Sequence, residues 1–359
     1  MAVRVIQWST GNVGYHALRA IIHHPDLELV GVFAHSPAKV GKDAGELCGI
    51  EPVGITATNN AQELLAMQAD CVAYMAQGEP RPRETVNDLC MILEAGKNVV
   101  TPSLISLYYP PFSNQKIRQR IEAACQKGGV SLYASGLDPG FSGDALPFTL
   151  MSLCERVDSV RVAELFDYGT YNDPAFTGEY FGFGKPIDYP AALFAPGGIK
   201  WGWGGIVQMT ADALGVTLDE IREAHERRVT PKTLHTKMMT VEAGTVAALH
   251  FQVQGIVKGR PVIVAEHYNR LGSDIFDCAP DWPKPPEGLP SCYRVQIEGS
   301  PSLTCYLGIK GYDGDHNTGG VTATAMRVIN AIPAVCAAKP GMLSTLDLPL
   351  VTARHLMFT

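Results

Sequence analysis

The stretch "RVIQWSTGNVGYHALRAI" (Arg4–Ile21) reads as an apolar strand, a tight turn and a helix. The turn, Ser9-Thr10-Gly11-Asn12-Val13-Gly14, is one residue away from the G-x-G-x-x-G dinucleotide fingerprint, with Ser9 in place of the first glycine. Gly11 would let the backbone approach a pyrophosphate, and Gly14 would let the helix pack closely on the strand. Amides and the positive dipole end at the helix mouth hold negative charge. Ser9 is small, and its hydroxyl can cap a backbone group. Ser9, Thr10, Gly11, Asn12, Val13 and Gly14 are therefore expected to cradle the phosphates of a nicotinamide coenzyme.

The pattern extends outward from this unit. Apolar runs at 3–8, 27–34, 70–76, 97–102 and 130–135 suit strands buried on both faces, and helix-like segments at about 13–23, 60–67, 82–95 and 113–127 lie among them. Such alternation predicts right-handed crossovers and a doubly wound parallel sheet, a Rossmann α/β domain over residues 1–145. The rhythm then changes. Residues 156–169 read as a strand, and Thr217-Leu218-Asp219-Glu220 reads as a capping box opening a helix to about Arg227. Alternating runs at 245–257 and 261–272 flank Lys258-Gly259-Arg260 as a hairpin, and 293–299 with 303–310 make a second. Residues 146–317 are thus expected to form an α+β substrate and dimerisation domain with a mainly antiparallel open sheet. An apolar helix from about Thr318 to Ala337, with the tail to 359, is expected to pack back on the first domain.

With 46% hydrophobic and 18% charged residues the chain is ordinary globular material, and a net charge of −7 without basic clusters argues against nucleic acid. Nine cysteines without a C-x-x-C pair suggest neither a disulfide framework nor a zinc site, and no metal is expected. The absence of a leader and of a run of about 18 apolar residues points to a soluble, cytoplasmic protein with no membrane partner.

NAD-specific sites place a carboxylate at the end of the second strand to accept from the ribose 2′-hydroxyl. Here that strand runs into His35-Ser36-Pro37-Ala38-Lys39 with no acid. His35, Ser36 and Lys39 could instead receive a 2′-phosphate, which predicts a preference for NADP with NAD tolerated. Ligands of open parallel sheets sit beyond the carboxyl ends of the strands, which brings in Gln77 and Tyr108. Tyr108 could donate a proton to a carbonyl oxygen, or pack as an aromatic beside Pro110-Pro111.

"AHSPAKVGKDAGEL" (34–47), "SGLDPGFSGDALPF" (135–148), "FGFGKP" (181–186), "GWGGIVQMTADALGV" (202–216) and "NAIPAVCAAKPGMLSTLDLPL" (330–350) occur together with the phosphate turn. Over essentially its whole length the chain resembles the dihydrodipicolinate-reductase-like oxidoreductases related to 2,4-diaminopentanoate dehydrogenase and the native amine dehydrogenases. The resemblance implies hydride transfer from a nicotinamide to an imine or carbonyl carbon, a cleft between domains, and a homodimer paired through the open sheet. Two departures stand out. The paired-histidine motif of true dihydrodipicolinate reductases is absent at Glu164–Gly169. The glutamate that the amine dehydrogenases place after the fourth strand has no counterpart in Thr101–Tyr109.

In relatives the end of the first strand of the second domain faces the nicotinamide, which makes Asp167, Glu164 and Tyr168 catalytic candidates together with Tyr108. A carboxylate in an apolar cleft there would have a raised pKa and could act as a general acid. Asp138 is either a turn-forming Asp-Pro-Gly residue or a cleft residue, and His267 either a satisfied sheet histidine or a functional one. Asp313–Asn317 reads as a helix cap rather than a metal loop. Tyr108, Tyr109, Phe141, Tyr168, Phe181, Phe183, Trp201 and Trp203 suggest a small apolar ketone, aldehyde, imine or amine as substrate. The leading expectation is an NAD(P)H-dependent, amine-dehydrogenase-like oxidoreductase. The alternatives are a carbonyl reductase without amine chemistry and a nucleotide-binding protein that has lost turnover.

Overall fold

The computed structural model describes residues 2–272 and 278–357. The chain divides into two compact units, Met1–Leu137 with Val321–Thr359, and Asp138–Gly320. Fifteen strands occur among the described residues: β1 Val3–Trp8, β2 Leu27–Phe33, β3 Ala57–Thr58, β4 Cys71–Tyr74, β5 Asn98–Thr101, β6 Ser131–Ala134, β7 Arg156–Asp167, β8 Glu220–Val229, β9 Leu234–His235, β10 Thr240–Val241, β11 Val246–Val257, β12 Arg260–Arg270, β13 Cys292–Ser300, β14 Leu303–Leu307 and β15 Gly341–Leu343.

The first unit holds a seven-stranded sheet in the order β15-β6-β5-β4-β1-β2-β3, with every neighbouring pair parallel. Consecutive residues of β1 explain the layering. Val5 packs with Leu18 and Ile21 of the helix Asn12–His23, while Ile6 packs with Leu89, Ile92 and Leu93 of the helix Pro82–Glu94. A strand buried on both faces needs the unbroken apolar run that the sequence shows. β1 lies between β2 and β4, so successive connections leave it in opposite directions and open a crevice at the carboxyl edge.

The second unit is built on a six-stranded sheet, β14-β13-β7-β12-β11-β8, antiparallel except where β12 runs parallel to β7. The register places Glu164 opposite His267 and Tyr293, and Phe251 opposite His267, so all four project from one face. Two helices of this unit, Ala145–Met151 and Gly198–Ala213, pack on that face. The opposite face carries Arg161, His250, Glu266, Tyr268 and Arg294, with Glu266 ion-paired to Arg161 at 2.8 Å and Arg294 at 3.2 Å.

Three expectations change. The helix expected over 217–227 is strand β8, paired with β11 along its length. Its ion pairs Glu220–Arg222 and Glu226–Arg228 join residues two apart, which share a face in a strand and not in a helix. The long apolar helix is two, His316–Ile329 and Ile332–Ala337. By length and composition residues 316–337 are apolar enough to cross a membrane, but Ala325, Val328, Ile329, Ile332 and Val335 are buried in the core of the first unit. The chain that follows adds β15 alongside β6, a three-residue strand too short to show a periodicity.

Candidate active site

At the phosphate turn Ser9 adopts φ 75°, a left-handed conformation that glycine takes without cost. Buried Gln7 steadies it, its Nε2 donating to the Ser9 carbonyl at 2.7 Å. A Cβ on Gly14 would lie 2.4 Å from that same carbonyl oxygen, so only glycine lets the helix sit this close. At Gly11 a Cβ would meet no protein atom within 4 Å. The helix that starts at Asn12 has no side-chain cap and no acid in its first turn. A backbone left open to an approaching group and a positive helix end without a competing carboxylate suit a pyrophosphate.

Beyond β2, His35 and Ser36 are exposed, and Arg81 reaches His35 from the segment after β4. Arg81 Nη2 lies 3.4 Å from His35 Nε2, donates to the Tyr74 hydroxyl at 3.1 Å, and stands 3.6 Å from Asp88. Burial and the Arg81 charge push the His35 imidazole below its usual range. The Lys39 ammonium instead donates to the Thr10 carbonyl at 2.6 Å, which sets its charge on the phosphate turn.

The second unit contains a buried polar cluster. Asp138 Oδ1 accepts from Trp203 Nε1 and from His267 Nε2, both at 3.0 Å, and Oδ2 accepts from the Ser142 hydroxyl at 3.1 Å. The His267 ring stacks on Phe251 with centroids 4.3 Å apart and meets Trp203 edge-on at 4.7 Å. Its Nδ1 has no hydrogen-bond partner among the described residues. Glu164 Oε2 accepts from Asn269 Nδ2 at 2.7 Å and from the Tyr168 hydroxyl at 3.2 Å. Burial, with the negative charge of Asp138 second, raises the Glu164 carboxyl to about 7, against the opposing pull of His267, Asn269 and Tyr168. Burial works against charging His267, but Asp138 and, more weakly, Glu164 and Glu266 outweigh it and raise its pKa. Burial and Glu164 keep the Tyr168 phenol protonated far above neutral pH. Glu164 and His267, each with 5% exposure or less, thus form a buried acid and imidazole pair around Asp138. The rings of Tyr168, Phe181 and Phe183 gather beside it, with centroids 6.0–6.3 Å apart.

The model of the 2,4-diaminopentanoate dehydrogenase C-terminal domain matches residues 141–357, more than half of the chain, and that of the dihydrodipicolinate reductase N-terminus matches residues 5–101. An amine dehydrogenase from Streptomyces virginiae is 41% identical over 97% of this chain and 96% of its own length. The chain belongs to the amine dehydrogenase and 2,4-diaminopentanoate dehydrogenase family. It is an NAD(P)-dependent oxidoreductase of the amine dehydrogenase type. The 2,4-diaminopentanoate dehydrogenase of Acetoanaerobium sticklandii is 26% identical over 76% of this chain and 72% of that one. In fold, the amine dehydrogenase of Mycobacterium smegmatis superposes with a TM-score of 0.79 over 99% of this chain and 98% of that one, at 20% identity.

The structure of this amine-dehydrogenase-type enzyme sorts the candidates. Glu164 and Tyr168 share one buried cluster. Asp167 does not join it. Three residues on from Glu164, Asp167 projects from the other face of β7, and its Oδ1 accepts from the Gly169 and Gly272 amides at 2.8 and 2.7 Å. Such a carboxylate holds loops together. Tyr108 is buried in the core of the first unit, its hydroxyl donating to the Pro102 carbonyl at 2.8 Å, which is the packing alternative. Gln77 is exposed after β4, and its carbonyl accepts from Arg81 Nε at 3.3 Å. Asp313 and Asp315 accept from backbone amides at the start of the helix His316–Ile329, as caps do. Among the described residues no group of three or more His, Cys, Asp or Glu side chains could hold a metal.

Sequence reasoning did not single out Arg81 or the hub role of Asp138. Arg81 carries a usable signal, a basic residue a few positions past a strand end. Asp138 carries none, because its histidine partner lies 129 residues away in the chain.

Proposed function

We propose that the protein is an NADP-preferring amine dehydrogenase of small apolar amines, working in the reverse sense as a reductive aminase of ketones, in a cytoplasmic homodimer. The observation that carries the substrate reading is the buried Glu164 carboxyl held near neutrality beside a wall of aromatic rings. A general acid is most effective when its pKa lies near the working pH, and an aromatic wall favours an uncharged hydrocarbon body. Glu164 would give a proton to the departing oxygen or receive one in the oxidative direction, with Asp138 and His267 setting the charge around it. The coenzyme, when bound, supplies the hydride. Ser9 to Gly14 would hold its pyrophosphate, with Lys39 adding charge at the turn. The sheet face without the two helices, bearing Arg161, His250, Glu266, Tyr268 and Arg294, is the surface through which two copies would pair.

The test is NADPH consumption with cyclohexanone, with and without ammonium. Consumption that requires ammonium supports amine chemistry. Consumption indifferent to ammonium supports the carbonyl reductase alternative, and NADPH binding without turnover of any carbonyl or amine supports lost activity.

NADP preference rests on His35, Ser36 and Arg81. A guanidinium held by Tyr74 and Asp88 offers a phosphate charge-assisted hydrogen bonds, each contributing about 1.5–3 kcal/mol. Arg81→Ala is expected to raise the Kd for NADPH by about tenfold or more and leave that for NADH within about twofold. Titration by coenzyme fluorescence reads both, and equal weakening of the two would show that Arg81 has no contact with the 2′-phosphate.

A further inference from the structure

All nine cysteines are free thiols. Two of them, Cys71 and Cys336, meet although most of the chain lies between them. Cys71 is the first residue of β4, in register with Val5 of β1 and Asn98 of β5. Alternation along β4 sends Cys71 and Ala73 to one face of the sheet, and Val72 and Tyr74 to the other. The Cys71 face is the one that the last part of the chain covers. Ile332 and Val335 of the helix Ile332–Ala337 are fully buried in that core, and Cys336 packs against it. Cys336 stands four residues after Ile332, so it shares the helix face turned to the sheet.

The contact is direct. The Cys71 and Cys336 thiols hydrogen-bond to each other. Cys336 Sγ also lies 3.9 Å from the Asp70 carbonyl oxygen, the group just before Cys71 in the chain. That carbonyl is already engaged, since it accepts from the Asn98 amide at 3.1 Å and from Asn98 Nδ2 at 2.9 Å. The Cys336 sulfur is thus held loosely by its surroundings and lies close to its partner. The two thiols differ in access: Cys71 is 0% exposed, while Cys336 is half-buried. Burial, with Cys336 second, pushes the Cys71 thiol well above its ordinary range and keeps it inert by itself. Cys90 and Cys125 also lie near enough for their charges to interact, but both are buried, so neither offers an oxidant a first sulfur.

We propose that Cys71 and Cys336 are a peroxide-sensitive pair that closes into a reversible disulfide and fastens the C-terminal segment to the first unit. Cys336, reached first, attacks one oxygen of hydrogen peroxide. The O–O bond breaks, leaving a sulfenic acid on Cys336 and one water. The Cys71 sulfur then attacks the Cys336 sulfur, the S–O bond breaks, and the hydroxyl leaves with the Cys71 proton as a second water. Two thiols have lost two electrons, and the peroxide has gained them. A small thiol restores both cysteines by exchange. Position gives the bridge its consequence. The segment from Val321 onward supplies Ala325, Val328, Ile329, Ile332 and Val335 to the first unit's core and then adds β15 to its sheet. A bond from β4 to this segment closes a long loop and so restricts the unfolded chain. The bridge sits at the amino end of β4, whereas the phosphate turn follows the carboxyl end of β1, which runs parallel to β4. Closing it should therefore leave coenzyme binding intact.

The experiment treats the folded, full-length wild type with hydrogen peroxide, blocks the remaining thiols and maps the peptides by mass spectrometry. The expected result is the loss of two titratable thiols and one linked peptide joining Cys71 to Cys336. Melting should shift up by at least about 3 °C, NADPH affinity should stay within about twofold, and dithiothreitol should reverse the shift. Cys336→Ser, at the half-buried position, should form no bridge and show no rise in Tm. Cys71→Ser should instead hold Cys336 as a sulfenic acid that dimedone traps, an adduct the wild type does not accumulate. Should Cys71→Ser fail to fold, the peptide map of the wild type still decides. A folded wild type that keeps all its thiols under peroxide, or that links a different pair, overturns the proposal. A Cys71–Cys336 bridge with no rise in Tm overturns the fastening role.

Discussion

Glu164→Gln is expected to lower ammonium-dependent turnover by about 1,000-fold while NADPH affinity stays within about twofold. Glutamine preserves the side chain's shape and its acceptor for Asn269 Nδ2 and the Tyr168 hydroxyl. What it removes is the exchangeable proton. The wild-type reductive rate should therefore fall as pH rises through about 7, where the Glu164 acid form is lost, and the variant's residual rate should lack that limb. Stability changes with the same sign. A carboxyl whose folded pKa is raised binds more protons folded than unfolded between the usual carboxylate range and 7, so folding weakens as pH climbs across that window. His267, also raised, contributes stability at low pH that is lost as pH rises through its folded value. The wild type should melt at least a few degrees lower at pH 8 than at pH 5.5, and Glu164→Gln should flatten this slope. Stopped-flow rates and melting curves over the same pH series check both. A variant with wild-type turnover and an unchanged pH profile would remove Glu164 from the chemistry.

Why Glu164 and not Asp167 was partly legible in the sequence. Along β7, Glu164 falls in step with Val160 and Val162, while Asp167 falls in step with Arg161, so alternation alone assigns Glu164 to the apolar face. The parallel sheet was legible because strands buried on both faces leave continuous apolar runs, and β1 is found over residues 3–8 as read. β8 was misread because Thr217–Glu220 satisfies a helix-start pattern, and local propensity gave way to ten residues of pairing with β11. The opposite charges two apart were the contrary signal. Asp138 was beyond reach. "DPG" signals a turn to any local reading, and its bonds to Trp203 and His267 exist only once the helix Gly198–Ala213 and β12 are packed together.

The phosphate turn makes the other large prediction, because its two glycines do different work. Adding a methyl at Gly14 places a carbon 2.4 Å from the Ser9 carbonyl and 3.4 Å from Gln7 Nε2. Backbone cannot swing aside as a long side chain would, and Ser9 is already at φ 75°. Gly14→Ala must therefore push the turn off the helix, weaken the Gln7–Ser9 hydrogen bond and cost about 1–3 kcal/mol of stability. The same displacement misplaces the amides that would grip a pyrophosphate, so NADPH affinity should fall by about 100-fold. Gly11→Ala separates binding from folding. Its methyl meets no protein atom within 4 Å, so stability should stay within about 0.5 kcal/mol of wild type. Coenzyme affinity should still drop by about tenfold or more, since the methyl occupies the approach that glycine leaves clear. Denaturant unfolding and NADPH titration on the two variants decide the matter. Should Gly11→Ala bind NADPH as tightly as wild type, the pyrophosphate does not pass over this turn, and the coenzyme must be held elsewhere in the fold.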